Sequence, residues 1–160
     1  MYDAYFPLNF QQIFWVKISV FKLILSYTNN LYLCSKGIVM SHSIDKQEKY
    51  TLVTIETEKL DTQVAPGLKT DLVVLKSEGV KNIIIDLSNT RYCDSSGLSA
   101  ILIANRLCKE ANGSFVLCGV QDSVMKLISI SQLDSILNIT PTTQEAVDFI
   151  FMDEIEKDLD

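Results

Sequence analysis

The chain has 160 residues, 48% of them apolar, with 14 basic and 20 acidic side chains and a formal net charge of −6. That length suffices for one domain with a substantial core, since domains of ~150 residues bury roughly 68–70% of the surface of the unfolded chain. The acidic balance argues against direct nucleic-acid binding, which needs clustered Lys and Arg to neutralise phosphates and release counterions.

The averages conceal a break at Met40. Residues 1–39 hold one acid, Asp3, against Lys17, Lys22 and Lys36, and carry 9 of the 14 aromatics; residues 40–160 hold 19 acids and 11 bases, a charge of −8. The run 13–25 is apolar apart from Lys17, Ser19 and Lys22, but its 13 residues fall short of a bilayer span, which needs ~20. No positive charge precedes the run and no clean small-residue cleavage site follows it, so a secretory leader fits poorly. Tyr32 and Leu33 are likewise too bulky to precede Cys34 in a lipoprotein cleavage box. The composition matches translated AT-rich non-coding DNA. The expectation is an N-terminal extension over 1–39, either disordered or upstream of the true start, and one functional domain over 40–160 with no membrane segment and a cytoplasmic location.

From Met40 the pattern becomes regular. Residues 50–56 are β-prone, with Tyr50, Leu52 and Thr54 on one face and Val53 and Ile55 on the other. Over 62–77, Val64, Leu68, Leu72 and Leu75 form one helical stripe, with Pro66 in the first turn and Gly79 closing the helix. Residues 83–87, led by Ile83-Ile84-Ile85, read as a strand covered on both faces. A polar connection over 88–93 leads to a second helix over 96–111, stopped by Asn112-Gly113. A strand over 114–119, a short helix over 123–131 and a short strand over 136–139 follow. The closing helix spans 142–159, with Thr142 or Thr143 as its cap and Ala146, Val147, Ile150 and Phe151 facing inward. Strands alternating with helices at this spacing build an α/β domain with a largely parallel sheet.

Four cysteines, at 34, 93, 108 and 118, give no CxxC pair and no metal-ligand spacing. Buried free thiols are the simpler reading. The one histidine, His42, would have to serve a zinc site or a Ser-His-Asp triad from a polar segment expected to be mobile. No metal or cofactor is expected.

The segment Asp94-Ser95-Ser96-Gly97 falls between the polar connection and the second helix. Asp94 and the serines are good N-cap types, and Gly97 permits close approach of another backbone or of a partner. A well-capped helix alone would account for them. Yet a loop at the carboxyl end of a parallel strand, running into a helix N-terminus, is where such sheets place ligands and reactive groups. A phosphate on a serine there would gain roughly 0.3–1 kcal/mol from the helix dipole and free amides. No base is within reach by sequence to make the serine a nucleophile.

The strings Ile83-Ile84-Ile85-Asp86-Leu87-Ser88 and Tyr92-Cys93-Asp94-Ser95-Ser96-Gly97-Leu98 resemble the signature of the STAS domain and, within it, the bacterial anti-sigma-factor antagonists. The resemblance spans Ile44 to Ile155, with further support from residues 113–119 and 124–128. It implies a mixed, mostly parallel sheet of four to five strands with about four helices, and a function by partner switching. The unmodified antagonist binds an anti-sigma factor with serine kinase activity, which phosphorylates it and is thereby released; a phosphatase resets the cycle. Carried over residue by residue, Ser95 is the phosphoacceptor, and Asp94, Ser96, Gly97 and Leu98 shape the contact surface together with Asp61. Glu58 and Lys59 replace the glycine and glutamate of the family's Gly-Glu-Leu-Asp turn, and Ser99 replaces a frequent glycine. These departures bear on partner identity and kinase recognition more than on the fold.

Two other readings stand beside this one. The first is a constitutive STAS subunit of a lipid-transport or other regulatory complex, in which Ser95 merely caps the helix. The second is a small hydrolase using Ser95 or Ser96, which the lone His42 and the lack of a carboxylate pair or Gly-rich phosphate loop disfavour. The chain is therefore read as a regulator and not an enzyme.

Overall fold

In the computed structural model, which describes residues 41–159, the run Ile83-Ile84-Ile85 lies at the centre of a five-stranded sheet. The expected extension over 1–39 falls outside the described residues. In chain order the elements are β1 (His42–Lys46), β2 (Thr51–Ile55), β3 (Lys59–Leu60), α1 (Ala65–Ser77), β4 (Ile83–Asp86), β5 (Tyr92–Cys93), α2 (Ser95–Glu110), β6 (Phe115–Cys118), α3 (Asp122–Ile130), β7 (Asn138–Thr140) and α4 (Thr143–Leu159). The main sheet has the order β1-β2-β4-β6-β7. β1 pairs antiparallel with β2, and the remaining neighbours are parallel. Among the described residues this is the mixed, mostly parallel sheet with four helices that the family resemblance implies.

Burial divides the sheet into two faces. Ile83 and Ile85 point into a large core with Leu68, Leu72 and Leu75 of α1, Ile101 and Ala104 of α2, and Val124 and Ile128 of α3. Ile84 points the other way, into a smaller core with Val116, Cys118, Ala146 and Ile150. Among the described residues, three helices thus cover one face and α4 covers the other. The parallel strands step across the sheet in one direction, and right-handed crossovers then place every connecting helix on the same side.

Local signals act as the sequence suggests. Pro66 stands in the first turn of α1, and Gly79 (φ +88°) follows its end. Asn112 (φ +54°) and Gly113 end α2. Thr142 caps α4: its Oγ1 accepts from the Glu145 amide at 3.3 Å and donates to Glu145 Oε1 at 3.0 Å.

Three features of the main sheet and α4 differ from the reading of the sequence. Residues 42–46 form a strand where a polar leader was expected. This edge strand exposes most of its side chains, so it shows no hydrophobic alternation. The last strand begins at Asn138 rather than Ile136. Phe151, expected to face inward, is exposed on α4, while Phe149 packs against the smaller core.

The lower half of α4 is held by polar contacts. Asn82, buried at the start of β4, donates through Nδ2 to Lys49 O and to Glu154 Oε1, both at 2.9 Å. Its Oδ1 accepts from the Ser114 amide at 2.9 Å, and its carbonyl accepts from the Thr51 amide at 3.0 Å. One side chain therefore ties the starts of β2, β4 and β6 to α4. Beside it, the Ser114 hydroxyl donates to Asp153, which also pairs with Lys157 at 2.6 Å. Burial raises the Asp153 carboxyl, but Lys157 and Ser114 outweigh it and hold it below the ordinary range. Replacing Asn82 by Ala leaves buried groups unpaired and is expected to cost about 2–3 kcal/mol. Urea denaturation checks this; a loss within about 0.5 kcal/mol, the range of neutral surface changes, would mean that the clasp contributes little.

Candidate functional site

The motif is positioned by a second, two-stranded sheet. β3 and β5 pair in parallel, with Lys59 opposite Tyr92 and Leu60 opposite Cys93. The Arg91 and Tyr92 amides both donate to Glu58 O, at 2.9 and 3.0 Å, and the Asp94 amide donates to Leu60 O at 3.2 Å. Thr90, fully buried, anchors the incoming loop by donating from Oγ1 to Thr57 O at 3.1 Å. This register sets Asp61, which follows Leu60, alongside Asp94, which follows Cys93.

Both aspartates are engaged with backbone amides at the start of a helix. Asp94, extended at φ −105° and ψ −176°, caps α2: its Oδ1 accepts from the Ser96 amide at 2.8 Å and the Gly97 amide at 3.0 Å. Asp61 Oδ1 accepts from the Gln63 amide at 2.9 Å, while its carbonyl accepts from the Ala65 amide at 2.8 Å. With Asp94 serving as N-cap, Ser95 becomes the first helical residue and is exposed; Ser96 is half-buried.

Gly97 and Leu98 require a correction, because both are buried and neither presents a contact surface. A Cβ on Gly97 would lie 2.3 Å from Leu60 O and 2.7 Å from Cys93 Sγ. The backbone that approaches Gly97 is this chain's own β3. Leu98 belongs to the large core. These two residues shape the surface from beneath.

Neighbouring turns brace the loop. Asp86 Oδ1, at the end of β4, accepts from the Ser88 amide at 2.8 Å. Gly119 (φ +64°) packs so closely there that a Cβ would lie 2.1 Å from Ser88 Oγ. Gln121 Nε2 donates to Ser88 O at 3.0 Å, and the Ser123 hydroxyl donates to Arg91 O, which links α3 to β5. Tyr92 is half-exposed next to this cluster, a surface aromatic that reading residues 88–93 as an undifferentiated connection missed. The alternation of exposed Tyr92 with buried Cys93 is the signal that could have identified it.

His42 also differs from expectation. Its side chain, in β1, is only 8% exposed, and Nε2 donates to Asp71 Oδ2 of α1 at 2.7 Å. The other ring nitrogen meets Ser41 Oγ at 3.0 Å. The residue is a packed tie between β1 and α1, not part of a mobile leader.

Cys93, Cys108 and Cys118 are buried free thiols. Burial, aided by the Asp94 carboxylate, pushes Cys93 up to about 11. Burial pushes Cys108 up to about 12 and also raises Cys118. Because a raised thiol pKa keeps the unreactive neutral form below that pH, Cys93 should be alkylated at pH 8 about two orders of magnitude more slowly than a free thiol. Its rate should rise about tenfold per pH unit from pH 8 and level off only near its own pKa. Peptide mapping by mass spectrometry reads this directly. Gly97→Ala is expected to destabilise the domain by about 1–3 kcal/mol through the clash with Leu60, measured as a shift in the urea midpoint.

Residues 42–146 match the model of the STAS domain family. The anti-sigma-B factor antagonist of Staphylococcus aureus is 26% identical over 98 residues, covering 61% of this chain and 90% of that protein. Among solved structures, an anti-sigma factor antagonist described as putative, from Thermotoga maritima, superposes with a TM-score of 0.62 at 22% identity, covering 69% of this chain and 95% of the other. The Bacillus cell fate determinant SpoIIAA in its phosphorylated form superposes with a TM-score of 0.56 at 19% identity, covering 68% of this chain and 98% of the other. These superpositions share the fold described above.

Proposed function

The chain belongs to the STAS domain family, and we propose that it acts as an anti-sigma-factor antagonist that binds an anti-sigma factor when Ser95 is unmodified and releases it when Ser95 is phosphorylated. The observation that carries the reading is the exposure of Ser95 at the first position of α2, directly after a capping Asp94. The antagonist role is supported by the Staphylococcus aureus relative, and switching by the likeness to SpoIIAA, a protein whose phosphorylated form has been solved.

The physics of such a switch is local. A phosphoserine adds about −1.5 to −2 charges at neutral pH. On Ser95 it would stand beside Asp94 and near Asp61, on a segment 40–160 that already carries −8. Within the chain, the N-terminus of α2 offsets part of the cost, by roughly 0.3–1 kcal/mol. Against a partner seated on this surface, like-charge juxtaposition costs several kcal/mol. The complex is therefore weakened far more than the fold. Asp61, Asp94 and Ser96 form the rest of the proposed contact surface, with Tyr92 as an exposed aromatic at its margin. The reading needs no cofactor, no catalysis by this chain and no contact with nucleic acid. The partner is the serine kinase-type anti-sigma factor, a phosphatase restores the binding form, and the location is cytoplasmic.

Ser95→Asp should remain folded, with an unchanged urea midpoint, yet lose the anti-sigma factor by at least about a hundredfold in affinity, since each ~1.4 kcal/mol is a factor of ten. Ser95→Ala should bind as the parent does and resist release by kinase and ATP. Calorimetric titration and phosphosite mapping measure both. Undiminished binding by Ser95→Asp, or phosphate found only at other positions, would refute the switch.

A further inference from the structure

The outer face of α4 does not look like the solvated side of a surface helix. Phe151, Met152, Ile155 and Leu159 are 41%, 65%, 61% and 81% exposed. Their spacing of one, three and four residues keeps them on one side of the helix, away from Ala146 and Ile150, which are buried against the sheet. Single exposed apolar residues are ordinary on a protein surface, but a contiguous strip marks an interaction site.

The charge around the strip restricts what can cover it. By sequence, α4 carries Glu145, Asp148, Asp153, Glu154, Glu156 and Asp158 against Lys157. Asp153 and Glu154 have partners in the polar clasp at the strand starts, whereas Asp148 and Glu156 are exposed. A second copy of this helix would bring like charges together, and an anionic lipid surface would be repelled for the same reason. A helix with an apolar stripe and lysines or arginines on its flanks is complementary in both respects, and a strip of this spacing fits helix-to-helix docking.

We propose that the outer face of α4 is a docking strip for a cationic amphipathic helix of a partner protein. The strip lies on the opposite side of the sheet from α2, so it is separate from the surface around Ser95 and does not depend on the switch proposed for that residue.

The test uses the full chain and a fluorescent synthetic peptide built only of Leu and Lys in an amphipathic helical pattern, with a Leu and Glu peptide of the same pattern as control. The Leu/Lys peptide should bind, more weakly as salt is raised. The triple variant Met152→Gln, Ile155→Gln, Leu159→Gln should lose at least tenfold in affinity while its urea midpoint and its Ser95-dependent partner binding stay unchanged. Equal binding of the Leu/Glu peptide, no binding of the Leu/Lys peptide, or undiminished binding by the triple variant would overturn the proposal. So would sedimentation showing a dimer that the triple variant abolishes, or adsorption to phosphatidylglycerol vesicles that the triple variant removes, because each assigns the strip to another occupant.

Discussion

The handedness of the crossovers organises this molecule. β2, β4, β6 and β7 run parallel and follow one another across the sheet, so right-handed connections put α1, α2 and α3 on one face. In such units each connecting helix starts near the carboxyl ends of the strands. The turns into α1, α2 and α3 therefore gather at one end of the sheet. Asp61, Asp94 and Gln121 each precede one of these helices; the Asp94 amide, bonded to Leu60 O, joins the turns into α1 and α2, and Gln121 Nε2, bonded to Ser88 O, joins the turn into α3 to the loop before α2. The proposed switch surface is the meeting place of those turns, and the topology places it there before any particular side chain is chosen.

The two-residue sheet of β3 and β5 refines that placement. Without the Leu60–Cys93 pairing, Asp61 and Asp94 would belong to two independent loops. With it, Gly97 must fit beneath Leu60, and only a residue without a Cβ does so. The glycine thus fixes the direction in which α2 leaves the pair, and the Asp94 carboxylate then satisfies the amides of Ser96 and Gly97. Ser95 lies outside this closed arrangement of donors and acceptors. A modified Ser95 therefore alters the surface without breaking a cap or opening the core.

Elements with a strong period or a continuous apolar run were legible in the sequence: Ile83-Ile84-Ile85 as a buried strand, the leucine stripe of α1, and the Asp94-Ser95-Ser96-Gly97 start of α2. Elements defined by pairing alone were not. β1 is polar because it lies at an edge and exposes most of its side chains, and β3 and β5 are two residues long, too short for any period to register. The residue types of the site could be read, but not their depth: Gly97 and Leu98 sit beside Ser95 in sequence and beneath the surface in space. His42 was misread for a related reason, since its partner Asp71 lies 29 residues away and only the β1–α1 packing brings the two together.

Phe151 shows a further limit, and its cause reaches into the rest of α4. Near its start the helix passes Cys118 at the end of β6, with Cys118 Sγ 3.6 Å from Thr143 Oγ1. By Asp153 and Glu154 it has reached Ser114 and Asn82, at the starts of β6 and β4. It therefore runs antiparallel to the strands, and its inner face crosses from the apolar middle of the sheet to strand starts, where backbone amides and the Asn82 side chain require polar partners. Asp153, Glu154 and Lys157 meet that requirement, so the inner side of the last turns has no use for apolar residues. Phe151, Met152, Ile155 and Leu159 are consequently not core residues displaced by an error of phase. The polarity of the helix has reversed where the sheet beneath it ends, and the domain's own packing gives no reason for large apolar side chains on the outer side.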